Sequence, residues 1–212
     1  MSPRATVLLA IAVGMLAAAP ARSQQRFGIE VHGSASAFAM GEMNDSLASF
    51  NRLFGTSLDD IGDGRTWGIA LRSWLHPDVL VRLAWEHLSA ESKDSGVTID
   101  MDANAFTVGA TWFAPSNGPL RYGFGLSLGP YFPDGGIGGS QAWLDASGVG
   151  FGVSPTAEGM LRMSEHFSVG VAAGYRWAAI NGLKFDEGDS DLEADYTGAF
   201  LRLSVAVESP GD

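Results

Sequence analysis

The 212-residue chain contains no cysteine. That excludes a disulfide framework and any site built on a thiolate nucleophile or a thiolate-bound metal. Positive charge is scarce too: 13 Lys and Arg stand against 24 Asp and Glu, a formal net charge of −11. Phosphate backbones are held by clustered Lys and Arg, so no nucleic-acid partner is expected. Long apolar runs are also missing. Beyond the N-terminus no stretch approaches the roughly 18 uninterrupted apolar residues that a helical membrane span needs. The early run Ala5 to Leu16 is too short for one. It follows Arg4 and leads into Ala17-Ala18-Ala19-Pro20-Ala21-Arg22-Ser23. A basic start, a short apolar stretch and a small-residue close read as a secretory signal peptide, with cleavage after Ala21 or Ser23. Residues 1–23 are therefore expected to be removed, and 24–212 to form a single domain.

What the chain has instead is alternation. In Val81-Arg82-Leu83-Ala84-Trp85-Glu86 and in Leu201-Arg202-Leu203-Ser204-Val205, apolar residues alternate with charged or small ones. Side chains of a strand point to opposite faces in turn, so one face of each segment is apolar and the other polar. Eight such segments are predicted: Arg26–Met40, Arg65–Leu75, Val79–Glu91, Val97–Phe113, Leu120–Phe132, Val149–Met163, Phe167–Ala178 and Tyr196–Val207. All reach the roughly 9–11 residues of a tilted membrane strand. In the fourth, Val97, Ile99 and Met101 share one parity while Phe106, Val108 and Trp112 have the other. A β-bulge near Ala103–Ala105 is predicted from that break.

Apolar faces turned outward and charges turned inward define a transmembrane β-barrel. The expected fold is all-β, an eight-stranded antiparallel up-and-down barrel. The connections alternate in length: His76–Asp78, Ala114–Pro119 and Ser164–His166 are short, while Gly41–Gly64, Pro133–Gly148 and Ala179–Asp195 are long. Short periplasmic turns and long outer loops place both termini in the periplasm. Most of the acids fall in or beside the long loops. The first of these carries a predicted amphipathic helix, Asp45–Phe54, capped by Asn44 or Asp45, with Leu47, Phe50 and Phe54 on one stripe and Gly55 as its stop.

The even strand count, the inward charges and the loop asymmetry resemble the small eight-stranded outer-membrane barrels of the OmpA and OmpX type. Tyr196, Gly198, Leu201 and Leu203 also resemble the assembly signal in the last strand of such proteins, although the chain finishes Glu208-Ser209-Pro210-Gly211-Asp212. The resemblance implies an outer-membrane location. It also implies outer-membrane lipid, lipopolysaccharide and the assembly machinery as partners, and a monomeric state.

Several residue sets are candidates for function. Glu30, Arg72, Arg82, Glu86, Arg121, Glu158, Arg162, Arg176 and Arg202 carry inward parity. Eight strands leave an interior just wide enough for side chains to fill, so a salt-bridged core is favoured over a polar pore. His87, Ser89 and Glu91 have outward parity at the loop end of the third strand. This is similar to the His-x-Ser of outer-membrane lipid A deacylases, in which His would activate Ser and an acid would orient His. Asp186, Glu187, Asp189, Asp191 and Glu193 form an acidic run able to bind Ca²⁺ or Mg²⁺ weakly through oxygen, and no other cofactor is expected. The leading functional expectation is a non-enzymatic barrel with a structural or surface-binding role. A narrow channel for small or apolar solutes, gated by the first-loop helix, and a lipid-modifying enzyme stand as alternatives.

Overall fold

The computed structural model describes residues 26–55, 57–94, 97–133, 135–139, 142–180, 184–185, 188–189 and 193–209. The predicted signal peptide lies outside the described residues. Eight strands close on themselves: β1 (Phe27–Ala37), β2 (Asp63–His76), β3 (Val79–Ser89), β6 (Ala103–Phe113), β7 (Leu120–Pro133), β10 (Gly150–Arg162), β11 (Phe167–Ile180) and β15 (Gly198–Glu208). Each pairs antiparallel with the next in the chain, and β1 pairs with β15 to seal the wall. This is the expected up-and-down barrel.

The seal explains why the alternation runs inside-out. Phe27, Ile29, Val31, Trp67, Ile69, Leu71, Phe124, Leu126, Leu201, Leu203 and Val205 all stand exposed on the outer wall, whereas Glu30, Arg72, Arg82, Glu86 and Glu158 are buried in the bore. Burying charges while exposing large apolar side chains is favourable only where the surroundings are hydrocarbon. On β11, exposed aromatics mark both ends of the belt, Phe167 and Trp177. Ten residues separate them. At about 3.3 Å per residue and a tilt of about 40°, they stand about 25 Å apart along the axis, the height of an outer-membrane apolar band.

The predicted bulge near Ala103–Ala105 is absent. Pairing runs in one register from Glu91↔Asp100 through Leu88↔Ala103 to Val79↔Trp112. Ile99, Met101, Ala103, Ala105 and Thr107 are all buried, while Phe106, Val108 and Trp112 are exposed. Parity never changes; the solvent does. Above the membrane the inside is an apolar core, and within the membrane the outside is lipid, so the apolar residues swap faces along an unbroken ladder.

The long connections are more ordered than expected. Short strands β4 (Glu91–Asp94), β5 (Val97–Asp100), β8 (Gly135–Gly139), β9 (Ala142–Ser147), β12 (Lys184–Phe185) and β13 (Gly188–Asp189) form a second, six-stranded sheet beyond the barrel. Its β4–β5 and β5–β8 pairings keep the registers of the barrel hairpins beneath them. The sheet is thus the barrel's own hairpins continued past the belt. Glu91 and Val97, predicted as parts of barrel strands, belong to this sheet. A further short strand, β14 (Ala194–Asp195), extends the wall along β11.

Helix α1 spans Gly41–Phe54 and starts four residues before the predicted boundary. No side chain caps it: its N-cap is Met40, and Asn44 lies inside the first turn. Asn44 instead clips the following loop. It donates to the Ile61 carbonyl at 3.1 Å and accepts from the Ile61 N–H at 2.8 Å. Asn51 makes the same pair of bonds with Leu58, at 2.9 and 3.0 Å. The helix stops at Gly55 in the left-handed conformation (φ 68°), as the sequence predicts.

Candidate functional site: the filled bore and the loop-end head

The bore is packed in three layers. At its centre Glu30, with no exposed surface, receives Arg72 Nη1 at 3.2 Å and Arg82 Nε at 3.0 Å. Arg82 spans the bore to pair with Glu158 and donates to Thr111 Oγ1 at 2.8 Å. Arg202 lies 4.0 Å from the other oxygen of Glu158. Glu86 takes Arg176 at 3.2 Å and faces His32 Nε2 at 3.3 Å. A buried charge is tolerated only with opposite charges around it, and these residues supply those for one another, while Glu30 Oε1, Arg176 Nη1 and Arg202 Nε have no hydrogen-bond partner among the described residues.

Small residues on the wall create the room. A Cβ on Gly68 would stand 2.7 Å from the His32 ring, and one on Gly152 would stand 2.4 Å from the Tyr131 ring. Gly at such positions lets a large side chain of the next strand cross the bore.

Both ends are closed by apolar side chains. At the terminal end Trp74, Leu80, Phe113 and Met160 form a buried cluster. Arg121 stacks over Trp74 and Phe113 at 5.1 and 5.3 Å while pairing with Asp78. At the loop end a larger core joins the helix to the tops of the strands: Met43 and Leu47 of α1, Leu58 and Ile61 of its loop, Leu88, Met101, Tyr131, Ile180 and Tyr196. Tyr196 donates to the Asp102 carbonyl at 3.0 Å, and Ser92 donates to the Asp59 carbonyl at 2.7 Å, tying the second sheet to the helix loop. Beside His32, Arg82 and Arg202 the bore holds a cavity of about 20 Å³. That is room for about one water.

The predicted interior set is largely brought together here. Arg162 is half-buried at the terminal end. Two members were missed. Glu208 accepts from Arg72 at 2.7 Å and from the Trp74 indole at 2.9 Å. It shares the parity of Arg202 and Ser204 and lies one residue beyond the predicted strand end at Val207. His32 shares the inward parity of Glu30 on β1 and lies between Glu30 and Glu86.

Of the helix stripe, Leu47 is buried and Phe50 packs partly against the same core. The Phe54 side chain lies outside the described residues. Met43, one turn before Leu47, completes the buried face. His87 faces outward at the belt's upper edge, with Nδ1 3.4 Å from Asn104 Oδ1 and Nε2 3.6 Å from Asp102 Oδ2. The acid beside it therefore comes from the approach to β6, while Glu91 pairs with Asp100 in the second sheet. Ser89 is two residues along the same face, opposite Arg65. In the acidic run, Asp186, Glu187, Asp191 and the side chain of Asp189 lie outside the described residues, which hold only Glu193.

No family model matches the sequence, and no curated protein does. Solved structures do match. Neisserial surface protein A is similar over 87% of this chain and 97% of its own, at 14% identity and a TM-score of 0.53. The outer membrane protein OprG of Pseudomonas aeruginosa covers 88% and 96%, at 12% identity and a TM-score of 0.54. A major outer membrane protein of Thermus thermophilus covers 86% and 99%, at 11% identity and a TM-score of 0.52. The chain has the fold of the small eight-stranded outer-membrane β-barrels. At these identities the likeness is one of fold alone. This outer-membrane-type barrel has a charge-filled bore and a head built on its loop end.

Proposed function

We propose that the protein is a monomeric, non-enzymatic barrel of the outer membrane that works through its loop-end head and does not conduct. In this reading it is exported by its signal peptide, both termini lie in the periplasm, and α1 with the second sheet stands outside the cell. The role is structural or surface-binding, among outer-membrane lipid and lipopolysaccharide, after insertion by the assembly machinery. The observation that carries this reading is the layered filling of the bore. The Glu30–Arg82–Glu158 bridge crosses it, apolar clusters close both ends, and a cavity of about 20 Å³ is left. Removing the helix would open the upper layer only; the charged layer and the Trp74 cluster would still block passage.

Planar-bilayer recording tests this directly. The purified protein and a variant lacking Asp45–Phe54 should both be silent. Steady single-channel conductance of the intact protein, or its appearance on deleting the helix, would establish the gated channel instead.

A further inference from the structure

The turn between β6 and β7 reads Ala114-Pro115-Ser116-Asn117-Gly118-Pro119, and every one of these residues is exposed. Its stem is closed by the Ala114 N–H, which donates to the Tyr122 carbonyl at 2.8 Å. Ser116 organises the tip. Its hydroxyl donates to the Leu120 carbonyl at 3.0 Å and accepts from the Gly118 N–H at 3.1 Å. Among the described residues the Asn117 carboxamide has no hydrogen-bond partner. The other described asparagines are held. Asn44 and Asn51 lie within α1 and bond Ile61 and Leu58 through both ends of their amides. Asn104 lies in β6 with its amide oxygen 3.4 Å from His87 Nδ1, and the Ala105 that follows it is paired on both sides, with Glu86 and Tyr131. Asn181, also followed by glycine, lies outside the described residues.

We propose that Asn117 is a site of spontaneous covalent modification, losing its side-chain amide through a cyclic imide formed with Gly118. The Gly118 nitrogen attacks Asn117 Cγ and a new C–N bond closes the ring. The Cγ–Nδ2 bond breaks, and the side-chain nitrogen leaves as ammonia, carrying the proton from Gly118. Solvent water then opens the imide at one carbonyl to give aspartate, or at the other to give isoaspartate. The turn supplies what this attack needs. Glycine carries no Cβ to screen the attacking nitrogen. The carboxamide is free to rotate onto it, and a surface turn lets the backbone shift and water enter. A helix or a paired strand withholds that freedom from Asn44, Asn51 and Asn104, so the fold selects one asparagine among those described. The product is absorbed locally. Isoaspartate lengthens the main chain by one methylene, and this insertion falls at the tip, beyond the Ala114–Tyr122 bond that ends the β6–β7 pairing.

Peptide mapping of the aged protein is the test. The purified barrel is kept in detergent for weeks in a mildly alkaline buffer made with heavy-oxygen water, then digested and read by electron-transfer fragmentation. Asn117 should take up the heavy oxygen several-fold faster than Asn44, Asn51 or Asn104, with isoaspartate as the larger product. Gly118→Ala should slow this several-fold without disturbing the turn. Gly118 does not adopt the left-handed φ that favours glycine, and an added Cβ would meet only Ser116 Oγ, at 3.7 Å. Heat-dependent gel migration should be the same for fresh and aged protein, since the barrel stays closed. Conversion of Asn117 no faster than that of Asn104 would overturn the site. Conversion at the parent's rate in Gly118→Ala would overturn the imide route, and loss of the closed-barrel band on ageing would overturn its confinement to the tip.

Discussion

Arg82 holds Glu30 and Glu158 at once, its Nε 3.0 Å from one carboxylate and its Nη2 bonded to the other, so a single guanidinium fastens β3 to β1 and β10 across the bore. Replacing it with Met would leave two buried carboxylates sharing Arg72 and Arg202. Breaking a buried pair from one side typically costs about 3–5 kcal/mol. Arg82→Met should lower the urea midpoint, and the unfolding free energy extrapolated from it should fall by about that amount. The double variant Arg82→Met, Glu158→Met should recover part of the loss, because it removes an orphaned charge as well. A midpoint unchanged in the single variant would mean that the bridge is not part of the folded bore.

The outer wall responds with the opposite sign. Leu203 is 64% exposed in the middle of β15, between Gly33 and Val171. Leu203→Arg should cost about 2–4 kcal/mol at mid-bilayer. The same substitution in a water-soluble barrel would be nearly neutral, so folding into vesicles at graded urea separates the two environments.

The barrel was legible in the sequence because period-two alternation depends only on which face meets lipid. Val81, Leu83 and Trp85 against Arg82 and Glu86 gave both the strand and its orientation. Legibility stopped where a strand left the membrane. From Ile99 to Trp112 one ladder passes from an apolar inside to an apolar outside, and a pattern read on hydrophobicity alone turns that change of solvent into a bulge. The second sheet was hidden for a related reason: Gly135–Gly139 is mostly glycine and carries almost no alternation. Asn44 misled because a polar residue beside a predicted helix start is read as its cap, whereas here it bonds a loop 17 residues away. The central charge layer was readable by parity, but which Arg meets which Glu depends on strand register, which no single segment encodes.

The two asparagine clips should govern the head. Asn44 and Asn51 satisfy the N–H and carbonyl of Ile61 and Leu58, both of which point their side chains into the loop-end core. Each hydrogen bond lost from a partly buried group is worth roughly 1 kcal/mol. Asn44→Ala with Asn51→Ala should leave the barrel's melting nearly unchanged while making residues 57–62 far more sensitive to protease on whole cells. Equal cleavage of parent and double variant would show that the clips do not hold this loop.

At the belt's upper edge, His87 meets Asp102 and Asn104 while Ser89 lies further along the strand. Under the non-enzymatic reading, Ser89→Ala should leave the mass spectrum of lipid A identical to that of cells carrying the parent protein. A gain of acyl chains in lipid A in the variant strain would instead make Ser89 a nucleophile.

Glu193 makes the stability of the folded chain depend on pH. Burial, then the carboxylates of Asp195 and Glu42, push the Glu193 carboxyl above its ordinary value. A carboxyl raised in the folded state favours its neutral form there, so its contribution is fully present below the unfolded value, near pH 4.3. It is lost as pH rises through the folded value. Glu193→Gln removes the charge that the fold disfavours. The variant should therefore melt higher than the parent at about pH 8 and together with it at about pH 3, where both side chains are neutral. Millimolar Mg²⁺ should narrow the gap at the higher pH by screening the same carboxylates. A variant that melts lower than the parent at pH 8 would mean that Glu193 holds a cationic partner whose attraction outweighs Asp195 and Glu42.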